Sequence, residues 1–247
     1  MSLNKETVTV ITGASSGIGA ATARRLAQSG TRIVLAARSE EKLKKITDEI
    51  NEKGGHAEFR ITDVTDKQDV FNLISGVTDK YGRIDHLINN AGLMLFSDWA
   101  DVAVEDWNKM IDTNIHGYLN AIAATLPVFL EQKRGHILNM SSVAGLHTGA
   151  SSGVYSATKF FIRGVTESLR KEVGVTNGIQ VSMVSPGVID TGWADKVNNS
   201  KGKEAAQKLN EIAITPEQVA DAVAFVLDKP KDLTINDIVI HPTRQDW

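Results

Sequence analysis

Apolar positions along this chain follow two alternating rhythms. Short aliphatic or β-branched runs at 7–11, 32–37, 57–61, 84–89, 135–140, 179–184 and 235–240 predict seven strands. Between them lie stretches with helical spacing, at 20–29, 39–53, 66–80, 104–130, 153–174 and 215–228. Ser39 is a candidate cap for the second helix, Pro216 is placed for the first position of the last, and Pro127 marks a bend or a last turn in the fourth. A strand followed by a helical crossover implies parallel pairing with right-handed connections. Residues 188–214 break the rhythm: they are polar, with some helical pattern only around 203–210. No linker-like shift in composition interrupts the chain. The expectation is one α/β domain over 1–247, a three-layer, doubly wound seven-stranded parallel sheet, with 188–214 as an excursion from it.

Composition narrows the function more than the fold. The 247 residues carry a net charge of −3, and their basic residues are dispersed among acidic ones, which argues against nucleic acid as a partner. There is no cysteine, so disulfides, thiolate metal sites and a cysteine nucleophile are excluded. The six histidines show no paired spacing, and no metal site is expected. The polar opening residues predict no signal peptide, and no apolar run suggests a membrane partner, so a cytoplasmic location is expected.

Chemistry concentrates where predicted strands end. After the first strand comes Thr12-Gly13-Ala14-Ser15-Ser16-Gly17-Ile18-Gly19 and then a helix. Three glycines in seven residues can end the strand tightly, let backbone approach a pyrophosphate, and let helix and sheet pack closely. The helix N-terminus would offer amides and a positive dipole end to phosphates. The second strand ends Ala36-Ala37-Arg38-Ser39, without a carboxylate at 36–38. A carboxylate there would bind ribose hydroxyls and favour NAD; Arg38 and Ser39 instead suit a 2′-phosphate, so NADP(H) is expected and NAD(H) is the alternative. Tyr155 and Lys159 stand four residues apart on a predicted helix, hence on one face. A cation beside a phenol favours its ionised form and brings it toward a useful acid–base range, although the same spacing also occurs in any helix with a packed tyrosine and a solvated lysine.

Taken together, Thr12-Gly-x-x-x-Gly-x-Gly19, Asp63-Val64, Asn89-Asn90-Ala91-Gly92, Asn114, Ser142, Tyr155-x-x-x-Lys159 and Pro186-Gly187-x-Ile189-x-Thr191 resemble the short-chain dehydrogenase/reductase family in its single-domain branch of about 250 residues. The resemblance spans nearly the whole chain and implies a Rossmann-type fold and hydride transfer between a nicotinamide cofactor and an alcohol or carbonyl compound. It implies Tyr155 as general acid–base, with Lys159 lowering its pKa and binding the nicotinamide ribose. Ser142 would hold the substrate oxygen, with Ser141 the competing hydroxyl, and Asn114 would anchor a water. The glycine turn (Gly13, Ser15, Ser16, Gly17, Ile18, Gly19) would hold the phosphates, Asp63 and Val64 the adenine, and Asn90, Ala91 and Gly92 the ribose side. Pro186, Gly187, Ile189 and Thr191 would cover the nicotinamide.

Residues 188–214 look like the family's substrate lid, and Met94, His147, Val188 and Trp193 are candidates to line the pocket. Family members are commonly tetramers or dimers, so a homo-oligomer is expected. A non-catalytic dinucleotide-binding regulator on the same fold is the other class to weigh. The stretch Ile240-His241-Pro242-Thr243-Arg244-Gln245 is similar to the endings of a bacterial branch that includes 3-hydroxy acid and serine dehydrogenases.

Overall fold

The computed structural model describes residues 3–192 and 207–246. Seven parallel strands, β1 (Val8–Thr12), β2 (Arg32–Ala37), β3 (His56–Ile61), β4 (His86–Asn89), β5 (His136–Met140), β6 (Gln180–Pro186) and β7 (Asp237–Ile240), form one sheet in the order β3-β2-β1-β4-β5-β6-β7. The order reverses between β1 and β4, and a crevice opens at the carboxyl ends of strands at such a switch point. Side-chain alternation feeds two separate cores. Ile11, Ile33, Leu35, Ile88 and Leu138 pack on one face, and Val8, Val10, Val34, Leu87 and Ile137 on the other. Burial on both faces is why these strands read as continuous apolar runs rather than as alternating ones.

On the first face lie α1 (Gly17–Ala27) and α2 (Glu40–Glu52). The second face is covered by α3 (Lys67–Tyr81) and α5 (Gly117–Gln132), which comes after α4 (Val104–Ile111). Next come α6 (Gly153–Leu169), a short turn α7 (Val175–Asn177), and α8 (Pro216–Leu227), which packs back on the first face. The predicted starts have local causes. Asp66 caps α3 by accepting from the Gln68 and Asp69 amides at 2.7 and 3.2 Å. Thr215 and Gln218 form a reciprocal capping box on α8, with Pro216 at its first position. Ser39 occupies the N-cap position of α2 but makes no side-chain cap bond.

Two sequence expectations change. The stretch 104–130 is not one α-helix: a π turn at Asp112–His116 separates α4 from α5. The extra residue of such a turn rotates the faces of α5 relative to those of α4, and it puts Asn114 into the interior. Pro127 produces no break and sits inside α5. The excursion after β6 is tied at its base, because Ile189 and Ile214 form a parallel bridge and the Ile214 amide donates to the Val188 carbonyl at 3.1 Å. Among the described residues no helix is long and apolar enough to cross a membrane.

Candidate active site

The glycine turn after β1 is shaped by close approach. A Cβ on Gly13 would lie 2.6 Å from the Ala91 Cα, and one on Gly19 would lie 2.5 Å from the Asn90 Nδ2. Gly13 also has φ of 66°, in the left-handed region. Thr12 Oγ1 accepts from the amides of Asn90 and Ala91 at 3.1 and 3.2 Å. Asn90 Nδ2 donates to the carbonyls of Thr12 and Gly13 at 3.0 and 3.2 Å. The ends of β1 and β4 are therefore one hydrogen-bonded unit, and the Asn90 amide braces the turn. Gly13→Ala is expected to destabilise the fold by about 2–4 kcal/mol, from overpacking plus left-handed strain, and urea unfolding would measure it.

This turn delivers the N-terminus of α1 to the crevice. No acidic residue lies in the first turn of α1, and no side chain caps its amides. Free amides, a favourable dipole end and a turn without Cβ atoms fit a pyrophosphate. Ser15 is half-buried and Ser16 exposed in the same turn, and Ile18 packs against the first core. A Cβ on Gly17 would lie 3.1 Å from the Thr191 methyl, so the segment after β6 closes over this turn. Beyond β2, the exposed Arg38 guanidinium is 3.8 Å from the Asp63 carboxylate, with Ser39 next in the chain. Asp63 is fixed by Thr65, whose amide and hydroxyl donate to it at 3.0 and 2.8 Å. Asn120 on α5 donates to the carbonyl of the buried Val64 at 2.9 Å.

On the other side of the crevice, β5 runs into Ser141-Ser142 and α6 presents Tyr155 and Lys159. Ser142 Oγ accepts from the Ala144 amide at 3.1 Å and donates to the Pro186 carbonyl at 3.4 Å. Ser141 Oγ is turned instead toward the Lys159 carbonyl, 3.4 Å away, which separates the two hydroxyls by role. Burial raises the Tyr155 phenol pKa, and a hydrogen bond with Ser142 works against that rise. Lys159 Nζ donates to the Met140 carbonyl at 2.9 Å and lies 5.8 Å from the centre of the Tyr155 ring. Burial lowers the Lys159 pKa from 10.5 to about 8.

Asn114 is fully buried. Its Oδ1 accepts from the Leu93 amide at 2.8 Å, and its Nδ2 donates to the Leu93 carbonyl at 2.8 Å and to Thr158 Oγ1 at 3.1 Å. Both amide protons are used, so a water held by Asn114 would have to donate to one of its oxygens. Gly92 lies beside this group: a Cβ there would be 3.5 Å from Asn114 Oδ1 and 3.9 Å from Lys159 Nζ.

Two contributors were not among the sequence candidates. Tyr118, buried one turn beyond Asn114, donates to the same Met140 carbonyl that Lys159 uses, at 2.8 Å, and its ring lies 5.7 Å from the Lys159 ammonium. Only its apolar spacing on α5 marked it in the sequence. Phe96 meets Tyr155 edge to face, with ring centres 6.2 Å apart. It also joins Met94, Leu209 and Ala213 around the buried Val188. Met94 and Val188, two of the candidate lining residues, are thus brought together, whereas His147 is exposed. Trp193 lies outside the described residues. Buried Ile189 joins the first core; Pro186 is the last residue of β6, and Gly187 links it to this cluster.

The chain matches the family model described as short chain dehydrogenase over residues 7–202. It is 40% identical over 245 residues to an uncharacterised oxidoreductase of Listeria innocua, covering 98% of this chain and 99% of that one. An uncharacterised oxidoreductase of Staphylococcus saprophyticus is likewise 40% identical, over 98% of each chain. Among solved structures, the closed form of a serine dehydrogenase complexed with NADP+ superposes with a TM-score of 0.89 at 31% identity, over 98% of this chain and 97% of that one. The serine dehydrogenase of Escherichia coli gives a TM-score of 0.84 at 30% identity, over 98% and 100%.

Proposed function

Because the chain belongs to the short-chain dehydrogenase/reductase family of oxidoreductases, we propose that it interconverts an alcohol and a carbonyl compound with NADP(H), using Tyr155 as the general acid–base. The observation that carries this reading is the convergence of Tyr155 and Lys159, 5.8 Å from ring centre to ammonium, with Ser142 just past the end of β5 on the same side of the crevice. The bound nicotinamide cofactor supplies or accepts the hydride.

The chain's own groups do the rest. Ser142 holds the substrate oxygen and stabilises charge developing on it. Tyr155 gives its phenolic proton to the nascent alkoxide in reduction, and takes the alcohol proton in oxidation. Lys159 stays within reach of the phenol and of the ribose side, positioned by the Met140 carbonyl and the Tyr118 ring. Asn114 fixes the Leu93 loop and Thr158 around this group and, as the resemblance implies, holds a water that links Lys159 to solvent. Met94, Phe96 and Val188 form an apolar wall for the substrate's carbon skeleton. Exposed Leu119 and Leu130 on α5 and Phe160 on α6 support pairing of these helices in a homo-oligomer.

NADP(H) is preferred on the strength of Arg38 at the carboxyl end of β2, and the NADP+ complex of the serine dehydrogenase relative supports the same reading. Arg38→Ala is expected to weaken NADPH binding about 10- to 100-fold, the worth of a hydrogen bond to a charged group, while leaving NADH within about threefold. Titration of both dinucleotides decides this. The activity itself is tested by following NADPH consumption optically against a panel of ketones, aldehydes and 3-oxo acids. Turnover with at least one is expected. Tight dinucleotide binding without turnover of any carbonyl compound would favour the non-catalytic regulator.

A further inference from the structure

The loop after β7 carries His241-Pro242-Thr243-Arg244-Gln245, and the chemistry proposed for the crevice gives this stretch no task. Its last polar side chain is in an unusual place. Gln245 is only 5% exposed, although it lies on a loop and glutamine is ordinarily a surface residue. A turn folds it inward, with the Gln245 amide donating to the Pro242 carbonyl at 2.9 Å. Its Oε1 then accepts from the buried Val188 amide at 3.0 Å. The same oxygen occupies the space where a Cβ on Gly187 would stand, and the His241 Cβ closes that space from the other side at 2.5 Å. The glycine at 187 is therefore the residue that lets this side chain reach the backbone.

The turn that Gln245 grips is the one leading into the candidate cofactor site. The Gly187 amide donates to the Ile240 carbonyl at 2.8 Å, and the Val188 carbonyl accepts from Ile214 at 3.1 Å. The Pro186 carbonyl faces Ser142 Oγ at 3.4 Å, and three residues beyond Val188 the Thr191 methyl approaches Gly17. These other polar partners of the turn are backbone or belong to the reacting group. Among the described residues Gln245 is the side chain from outside the site that bonds the main chain of this turn, and a buried amide such as that of Val188 needs such an acceptor.

We propose that Gln245 is a positioning residue for the dinucleotide site: through Val188 it sets where residues 186–191 stand over the glycine turn and where the Pro186 carbonyl meets Ser142. This rests on reading the crevice as a dinucleotide site. Gln245→Met keeps the length and volume of the side chain and removes the acceptor. It frees the segment to shift away from Gly17.

The test is a titration of the full chain with NADPH, followed by tryptophan fluorescence at 25 °C, beside thermal unfolding of the same samples. Gln245→Met is expected to raise the NADPH Kd about tenfold, equivalent to ~1.4 kcal/mol, at a temperature where both proteins remain folded. An unchanged Kd with a lowered Tm would overturn the proposal, because a brace that serves stability alone moves only the second quantity. If Gln245→Met does not yield folded protein, Gln245→Asn replaces it; its amide stops one methylene short of Val188 and carries the same two readings. A wild-type chain that binds neither NADPH nor NADH overturns the dinucleotide reading and this proposal together. Wild-type binding with an unaltered variant Kd overturns this proposal alone.

Discussion

Tyr155→Phe is expected to lower the rate of alcohol–carbonyl interconversion by about 100- to 10,000-fold, the range associated with a lost general acid–base. The substitution removes the phenolic oxygen and keeps the ring. The edge-to-face contact with Phe96 at 6.2 Å and the ring face toward Lys159 at 5.8 Å both survive it. Dinucleotide affinity and Tm should therefore stay near wild type, and the loss should fall on kcat. The pH dependence comes from the same group. Burial raises the Tyr155 pKa, so the phenol keeps its proton at neutral pH, which serves reduction. Oxidation needs the phenolate and should accelerate toward alkaline pH, while reduction should not. Steady-state rates in both directions, on a substrate taken from the NADPH panel, measure this. Full activity of Tyr155→Phe in either direction would refute the assignment.

Much of this site was legible in the sequence because its parts are backbone requirements or fixed spacings. Gly13 and Gly19 are needed where a Cβ would strike Ala91 or Asn90, and Gly17 takes a left-handed φ of 53° close under the Thr191 methyl. Tyr155 and Lys159 share a helix face by the arithmetic of the α-helix. What escaped the sequence depends on main-chain atoms and on distant segments. The π turn at Asp112–His116 has no glycine or proline to announce it, and the apolar spacing of 104–130 continues across it. The anchor of Lys159 is the Met140 carbonyl, which carries no side-chain signature, and that carbonyl in turn exposes the role of Tyr118. Asn90 could be read as a ligand contact in sequence, whereas in the fold its amide protons are directed at Thr12 and Gly13. Contacts across many residues, such as Gln245 to Val188, cannot be read from local pattern at all.

The second large effect lies at the opposite end of the sheet from the site. Thr9, His86 and His136 stand side by side on β1, β4 and β5, all fully buried. His86 Nδ1 is 3.0 Å from Thr9 Oγ1, His136 Nε2 is 2.8 Å from Ser182 Oγ, and the two rings meet edge to face with centres 6.0 Å apart. The remaining ring nitrogens, His86 Nε2 and His136 Nδ1, have no hydrogen-bond partner among the described residues. Neutral rings tolerate this, but an imidazolium must donate from both nitrogens and would be buried without an acceptor.

Burial lowers the His86 pKa from 6.5 to about 3; burial and then the charge of His86 lower that of His136 well below 6.5. Below pH 6.5 the unfolded chain binds protons that the folded chain refuses, so stability is full above that pH and is lost as the pH falls toward the folded values. Well below pH 6.5 each histidine should remove about 1.4 kcal/mol per pH unit, and the pair about 3 kcal/mol between pH 6.5 and 5. That is a large part of the stability of an ordinary domain. Half-buried carboxylates such as Glu49, whose pKa falls from 4.5 to about 2 beside Arg24 and Lys53, contribute mainly below pH 4.5, so the histidine window stands apart from theirs. Urea unfolding at pH 7, 6 and 5 should show the steep loss. His136→Gln, which keeps a polar group for Ser182 and cannot titrate, should halve the slope. A flat profile between pH 6.5 and 5 would mean that both rings can take up protons inside the fold.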